Sequence, residues 1–369
     1  MNTSQKILLV QLFSNGDCLY ATTIARQIKI DYPNCDLTWA IADFCKNIIN
    51  NNEYVDNVVV VKDVKKNDIN AFRQYKKKVL LEKKNGKWDE VFITTNIDTN
   101  LALYDGTIRG MILNAYPQKI NVPIQPILKN TSSELDNVQN FVLKHSIDTF
   151  KNVILWEYAP QSGQVDLNFT LVKNIAEKLV MIPSTCIILS SANKFESTSQ
   201  IIDASELSVR ENAALTHYCT LLIGCSSGIT WLTTSTGAKF LPMVQLLNPD
   251  TIFINIPSVD FNRYNVQHNG LIELFKFDEN LIFECVSGIL KNGFENQLNF
   301  NQQWNIQFKT TSVIVYNLLV YGSFKAIVKH FMVMKLKYGL HPKFIKNFLQ
   351  GLLLSPFRFA HNFYKKRLQ

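Results

Sequence analysis

Lys6-Ile-Leu-Leu-Val-Gln-Leu-Phe-Ser-Asn-Gly-Asp17 is the stretch from which the architecture of this chain can be worked out. Its apolar run has the length of a strand, the Ser-Asn-Gly cluster breaks that run, and a helical pattern follows. We therefore predict a buried strand, a loop and a helix, with Asp17 at the N-cap of the helix. The carboxyl end of a parallel strand is where ligands bind in α/β sheets. A carboxylate at this place is either a helix cap or a reactive group.

Strands and helices are predicted to alternate in the same way along most of the chain, which indicates parallel sheets in an α/β fold. The predicted strands after the first are 36–41, 57–61, 88–93, 152–156, 185–189, 221–223 and 239–245, and the main predicted helices are 43–51, 99–115, 132–146, 167–180 and 208–217. We predict an N-terminal domain over residues 1–148, a C-terminal domain over 149–295 and a tail over 296–369.

Composition and length agree with a two-domain globular protein. The chain has 369 residues, of which 47% are apolar and 18% are charged, and domains usually contain about 150 residues. The seven cysteines form no CxxC pair and lie mostly in apolar segments, as buried, reduced cysteines of a cytoplasmic protein do. No signal peptide and no apolar run of about 18 residues is found. These features predict a cytoplasmic protein, either soluble or peripheral on the inner face of the membrane.

A second loop, Gly224-Cys-Ser-Ser-Gly228, follows a short apolar strand and precedes a helical pattern. Small residues let the backbone approach a phosphate, and hydroxyl and N–H groups can donate to it. The loop is therefore either part of a nucleotide site or an ordinary tight turn from a strand to a helix.

Four motifs in a fixed order resemble the family 9 glycosyltransferases, which include the heptosyltransferases of bacterial lipopolysaccharide. They are Ser14–Asp17, Tyr32-Pro33, Glu53–Val58 and Ile223–Gly228. The resemblance covers about residues 6–290 and implies the GT-B fold, in which two Rossmann-like domains with parallel sheets face a cleft. It also implies an acceptor on the N-terminal domain and a nucleotide-sugar on the C-terminal domain.

The resemblance implies roles for residues of both loops. Asp17 would be the general base that takes the proton of the acceptor hydroxyl, although its role as a helix cap is the alternative. The loop residues Ser14, Asn15 and Gly16 would lie on the acceptor side. The residues assigned to donor binding are Ser162, Gly163, Ser190, Leu207, Ser226, Ser227 and Gly228.

The chain departs from the family pattern on the donor side. Ser226 stands where the family usually has an acidic residue, and Trp231 stands where it has a histidine. The lysine expected after the first strand of the C-terminal domain has no clear counterpart. A weaker donor site, a donor other than ADP-heptose, or lost activity would each give this pattern.

Metal and nucleic-acid chemistry are not indicated. The sequence has no Asp-x-Asp pair, and its six histidines are scattered without the spacing of metal ligands. We therefore expect no metal and no cofactor, with the nucleotide-sugar as co-substrate. No recognised nucleic-acid module is present, so no nucleic-acid partner is expected.

These features together predict an inverting, metal-independent glycosyltransferase that transfers a sugar from a nucleotide-sugar to lipopolysaccharide or another lipid-linked surface glycan. A GT-B nucleotide-sugar epimerase is the alternative enzyme. A catalytically degenerate GT-B protein that binds glycan or membrane as a scaffold is the non-enzymatic alternative.

The tail carries an unusual share of the positive charge. Of the 38 basic residues, eleven follow Glu295, whereas none of the 30 acidic residues does. Residues 341–353 form a basic amphipathic pattern suited to an anionic membrane surface. The predicted membrane contacts are Lys343, Phe344, Lys346, Phe348 and Leu352. Docking of this helix on the protein body or on a second subunit is the alternative. The pattern over 323–338 is less regular because Lys335 falls within its apolar stripe.

Overall fold

The computed structural model describes residues 4–160, 163, 165–253, 255–304 and 306–354. The strands are β1 (Lys6–Val10), β2 (Asp36–Ala42), β3 (Asn57–Val61), β4 (Glu90–Ile93), β5 (Asn152–Ala159), β6 (Thr185–Ser191), β7 (Ile201–Asp203), β8 (Leu221–Gly224), β9 (Met243–Leu246) and β10 (Leu271–Leu274).

The α-helices are α1 (Asn15–Asp31), α2 (Ile69–Lys84), α3 (Ile108–Leu113), α4 (Ser132–Lys144), α5 (Phe169–Leu179), α6 (Glu211–Leu215), α7 (Gly228–Leu232), α8 (Pro257–Tyr264), α9 (Glu279–Asn292), α10 (Lys309–Val320), α11 (Phe324–Tyr338) and α12 (Pro342–Leu353). Short 3-10 helices occupy Asp43–Ile49, Asp98–Leu103, Ile147–Thr149, Thr216–Tyr218 and Glu295–Phe300.

The strands form two parallel sheets, as the alternating pattern predicted. The first has four strands in the order β3-β2-β1-β4, and the second has six in the order β10-β9-β8-β5-β6-β7. In the first sheet Leu8 of β1 lies opposite Thr38 of β2. The apolar residues of β1 are buried on both faces, as is usual for a central strand of a parallel sheet. The α/β fold class is therefore confirmed.

The two halves meet through packed helices and one buried arginine. Helix α4 packs against α6, and α1 packs against α7. Arg210, which precedes α6, is 2% exposed. Its Nε donates to Glu134 Oε1 at 2.6 Å and its Nη1 donates to the Ile48 carbonyl oxygen at 3.2 Å. These contacts join segments that lie far apart in the sequence and hold the two sheets on either side of one cleft.

Several predicted elements differ from the structure in type or extent. The helix predicted over 43–51 is a 3-10 helix, Asp43–Ile49. The helix predicted over 99–115 is two pieces, the 3-10 helix Asp98–Leu103 and α3. Gly106 lies between them with φ of +107°, a backbone conformation that no helix contains. The strand predicted over 239–245 begins later, at Met243.

The C-terminal helices pack on the N-terminal half. Helices α10 and α11 both contact the 3-10 helix Asp98–Leu103, and α12 packs against α10. Phe344 of α12 is 0% exposed and contacts the rings of Phe308, Phe331 and Phe348. This arrangement follows the docking alternative, because the apolar side of α12 finds its partners within the protein.

The membrane contacts predicted on α12 therefore need correction. Phe344 is fully buried, and Phe348 and Leu352 are partly buried against the cores beneath α12. Lys343 and Lys346 are exposed. An apolar side chain buried in the protein cannot also lie in a bilayer, so the assignment is wrong for Phe344 in this arrangement of the helices. None of the described helices is long and apolar enough to cross a membrane.

Candidate functional site

A cleft of about 1040 Å³ lies between the two halves and brings together the residues predicted for both substrates. All the described members of the predicted set line it: Ser14, Asn15, Gly16, Asp17, Gly163, Ser190, Leu207, Ser226, Ser227 and Gly228. Ser162 lies outside the described residues. The individual roles of these residues remain predictions, but their juxtaposition across one cleft is a property of the fold.

The two predicted loops approach each other at their glycines. A Cβ atom placed on Gly16 would lie 3.5 Å from the Gly228 Cα atom, so backbone faces backbone with little room for side chains. Gly16 is in the first turn of α1 and Gly228 begins α7. The amino ends of these helices therefore meet at the cleft, one from each half.

Asp17 lies in the first turn of α1 rather than at its N-cap. Ser14 is the N-cap residue, and Asp17 is the N3 residue of a capping box. The Ser14 N–H donates to Asp17 Oδ2 at 3.3 Å, and Asn96 Nδ2 donates to the same oxygen at 3.0 Å. The predicted N-cap position was thus wrong by three residues, although the carboxylate still stabilises the helix start. Asn96 follows β4 and was not predicted.

Burial raises the pKa of Asp17 above its ordinary value. The Ser14 N–H, the Arg109 guanidinium and the Asn96 amide oppose that shift, but desolvation is the larger effect. A carboxylate with a raised pKa binds a proton more strongly when it is ionised. The site therefore makes Asp17 a stronger base than an exposed aspartate.

Arg109 of α3 is a buried cation at this site that sequence reasoning missed. It lines the cleft and is 4% exposed. Its guanidinium carbon lies 3.3 Å from the ring centroid of Trp231 and 4.5 Å from that of Tyr20. Its Nη1 atom is 3.9 Å from Asp260 Oδ2. Trp231 and Asp260 belong to the C-terminal half, so Arg109 connects the halves below the cleft.

Glu157, at the carboxyl end of β5, is a second group that the sequence did not single out. It is 5% exposed, and its Oε1 accepts a hydrogen bond from Ser227 Oγ in the predicted donor loop. The same loop is held from the other side, where the Ser226 N–H donates to Gln245 Oε1 at 2.8 Å. Burial raises the pKa of Glu157 to about 7.

The raised pKa of Glu157 predicts a measurable effect of pH on stability. Between pH 4.5 and about 7 the folded protein keeps a proton that the unfolded chain has lost, so the free energy of unfolding falls as pH rises. Glu157→Gln removes this contribution, so its free energy of unfolding should not fall in this way. Between pH 4.5 and pH 8 the free energy of unfolding of the variant should therefore rise by roughly 3 kcal/mol relative to that of the wild type. Urea unfolding at several pH values measures it.

The matched control for that experiment is Glu177→Gln, which changes an exposed glutamate of α5. Its stability should follow the wild-type pH dependence. The prediction fails if the free energy of unfolding of Glu157→Gln changes with pH as much as that of the wild type. Glu157 would then have the same pKa in the folded protein as in the unfolded chain.

The described residues contain no group of three or more His, Cys, Asp or Glu side chains that could hold a metal ion. All seven cysteines are buried and unpaired. Among the described residues, the acidic and basic side chains that line the cleft are Asp17, Lys66, Arg109, Glu157 and Asp250. Both cations come from the N-terminal half.

No family model matches the sequence, and no curated protein matches it. Solved structures do match the fold. A glycosyl transferase of family 9 from Veillonella parvula has a TM-score of 0.52 at 15% identity, covering 81% of this chain and 96% of that one. The ADP-heptose lps heptosyltransferase II of E. coli has a TM-score of 0.51 at 13% identity, covering 73% and 90%.

A third match is the spinosyn forosaminyltransferase SpnP, with a TM-score of 0.50 at 10% identity, covering 89% of this chain and 99% of that one. The first two matches belong to the group that the sequence motifs resemble. At these sequence identities the similarity shows a shared fold and says nothing about substrates or activity. The protein therefore has the GT-B fold of these glycosyltransferases, which confirms the predicted fold class.

Proposed function

We propose that the protein is an inverting, metal-independent glycosyltransferase that moves a sugar from a nucleotide-sugar to a lipid-linked surface glycan such as lipopolysaccharide. One observation carries the proposal. Asp17, in the first turn of the helix that follows β1, and Ser226–Gly228, between β8 and α7, line the same cleft from the two sheets, and their backbones approach at Gly16 and Gly228. Acceptor and donor would thus meet where a carboxylate is available.

Asp17 is assigned the proton transfer. The acceptor hydroxyl oxygen attacks the anomeric carbon from the side opposite the nucleotide, and the bond to the phosphate oxygen breaks as the new bond forms. The hydroxyl proton passes to the Asp17 carboxylate. Ser14 and Asn96 both donate to Oδ2, so we assign the proton to Oδ1.

The donor would lie against the second sheet, where Gly163, Ser190, Leu207 and the Ser226–Gly228 loop line the cleft. Glu157 lies beneath that loop, and its pKa of about 7 lets it carry a proton near neutral pH. A neutral Glu157 would not repel a diphosphate, whereas an ionised one would. Protonation of Glu157 would therefore allow an anionic diphosphate to bind next to this buried acidic residue.

A binding protein without transfer activity is the second candidate. Among the described residues, the C-terminal half contributes no lysine or arginine to the cleft lining. A leaving diphosphate would then depend for neutralisation on Lys66 and Arg109 of the N-terminal half. Such a protein would bind nucleotide without turnover, so binding and transfer need separate measurements.

A thermal-shift screen against nucleotides and nucleotide-sugars tests the donor site. A ligand that binds the folded state alone stabilises it by about 2.7 kcal/mol at 100 times its Kd, so the melting temperature should rise. Leu207→Trp should remove the shift, because Leu207 lines the donor side of the cleft. Leu81→Trp, on an exposed position of α2, should keep it.

The result that contradicts the proposal is a screen in which no nucleotide or nucleotide-sugar raises the melting temperature. A shift that survives Leu207→Trp would place the ligand elsewhere. Turnover of the donor without an acceptor would instead support the epimerase alternative.

A further inference from the structure

The outer side of α11 carries a row of exposed apolar side chains. Four residues of the helix and one just after it are spaced four residues apart, which places each next to the one before it on the helix surface. This outer row consists of Phe324, Val328, Met332, Leu336 and Leu340. Phe324 is 75% exposed and Leu336 is 91% exposed. Large apolar side chains in a contiguous exposed row usually mark an interaction surface.

The opposite side of α11 is packed, so the helix cannot turn to bury the outer row. Ala326, Ile327, His330 and Met334 are buried. Tyr338 Oη donates to the Asp105 carbonyl oxygen at 2.8 Å and fixes the end of the helix. The outer row is therefore presented outward by a helix that is an integral part of the fold.

Lysines accompany the outer row. Lys325, Lys329 and Lys335 are exposed, and at 100° per residue they fall on the same half of the helix as the outer row. No acidic residue follows Glu295 anywhere in the chain. A lysine can extend its charged end from an apolar surface toward headgroups. Apolar and cationic groups on one face are complementary to an anionic bilayer surface.

The outer row begins close in sequence to residues that line the cleft. Asn317 and Tyr321, at the end of α10, line the cleft, and α11 begins three residues later at Phe324. A surface bound at the start of α11 would thus lie beside one wall of the cleft.

We propose that the outer row and its lysines form a surface that docks on an anionic lipid bilayer. The docking itself needs no enzymatic activity. Its role rests on the proposed function, since it would hold the Tyr321 wall of the cleft near a membrane-anchored acceptor. The surface differs from the α12 face predicted from the sequence, which packs within the protein.

Co-sedimentation of the full chain with vesicles tests this proposal. Vesicles that contain phosphatidylglycerol should bind the wild type, and phosphatidylcholine vesicles should bind it weakly. Met332→Glu/Leu336→Glu should lower the vesicle partition coefficient by at least about tenfold, because it removes apolar contacts and adds repulsion. The matched control is Leu143→Glu/Met181→Glu, which makes the same changes at exposed positions outside the outer row and should bind as wild type.

Met332 and Leu336 are both exposed, so we expect their substitution to leave the fold intact. An unchanged melting temperature of the variant verifies this. Equal vesicle binding by wild type and Met332→Glu/Leu336→Glu overturns the proposal. The proposal is also overturned if sedimentation equilibrium shows a dimer in the absence of lipid and the same substitutions dissociate it. The outer row would then bind a second copy of the chain. The nucleotide thermal shift is measured on the same variants, so failure of docking is distinguished from failure of the donor site.

Discussion

Asp17→Asn is expected to lower the rate of sugar transfer by roughly 10²- to 10⁴-fold, the range that a positioned general base contributes. An asparagine has nearly the same shape, and its amide oxygen can still accept from Ser14 N–H and Asn96 Nδ2. The start of α1 should therefore survive. The thermal shift produced by the donor should also persist, because Asp17 is assigned to the acceptor side.

Transfer would be followed as nucleotide release from the donor found in the screen, with a lipid extract as the source of acceptor. The control is Asp278→Asn, which alters an aspartate whose role is to cap α9 by accepting from Leu281 N–H at 2.8 Å. That variant should transfer at the wild-type rate. If Asp17→Asn also does, the carboxylate is a helix-capping group and the base must be sought elsewhere.

Phe344→Ala should lower the free energy of unfolding by about 3–5 kcal/mol, the usual cost of emptying a buried phenylalanine site. Phe344 is 0% exposed, and the aromatic rings of Phe308, Phe331 and Phe348 surround it. Losing it leaves a cavity beneath α12 that these rings cannot fill completely. Urea unfolding of wild type and variant measures the difference.

Leu353→Ala serves as the control, because Leu353 belongs to the same helix and is 71% exposed. Its stability should lie within about 0.5 kcal/mol of wild type. An unchanged stability of Phe344→Ala would mean that α12 does not pack on the body in solution. The α12 face would then again be available for a membrane.

The sequence was sufficient for the strands that carry strong local signals. The apolar run before Ser14 and the Val-rich segment 57–61 appear as β1 and β3. Both loops at the cleft were also recognisable, because small polar residues after an apolar run mark the end of a buried strand. Parallel connectivity places the carboxyl ends of strands within one sheet at the same edge, but the two loops follow β1 and β8 of different sheets, so their meeting at one cleft depended on the tertiary structure.

The positions of Arg109 and Glu157 at the cleft could not be predicted from local sequence patterns. Each lies in an apolar stretch without a motif, and each gains its importance from partners far away in the sequence. Arg109 contacts Trp231 and Tyr20, and Glu157 accepts from Ser227. A sequence pattern describes near neighbours, whereas these contacts join residues that only the tertiary fold brings together.

The sequence by itself determined the α/β alternation, the two loops and the basic, amphipathic character of the tail. Amphipathicity shows that one face of a helix avoids water, but not what covers that face. Only the tertiary structure decided that α12 buries Phe344 against the protein while α11 leaves Leu336 exposed. The physical reason is that burial depends on which surfaces meet in space, and the 3-10 helix Asp98–Leu103 that receives α10 and α11 lies more than 200 residues away in the chain.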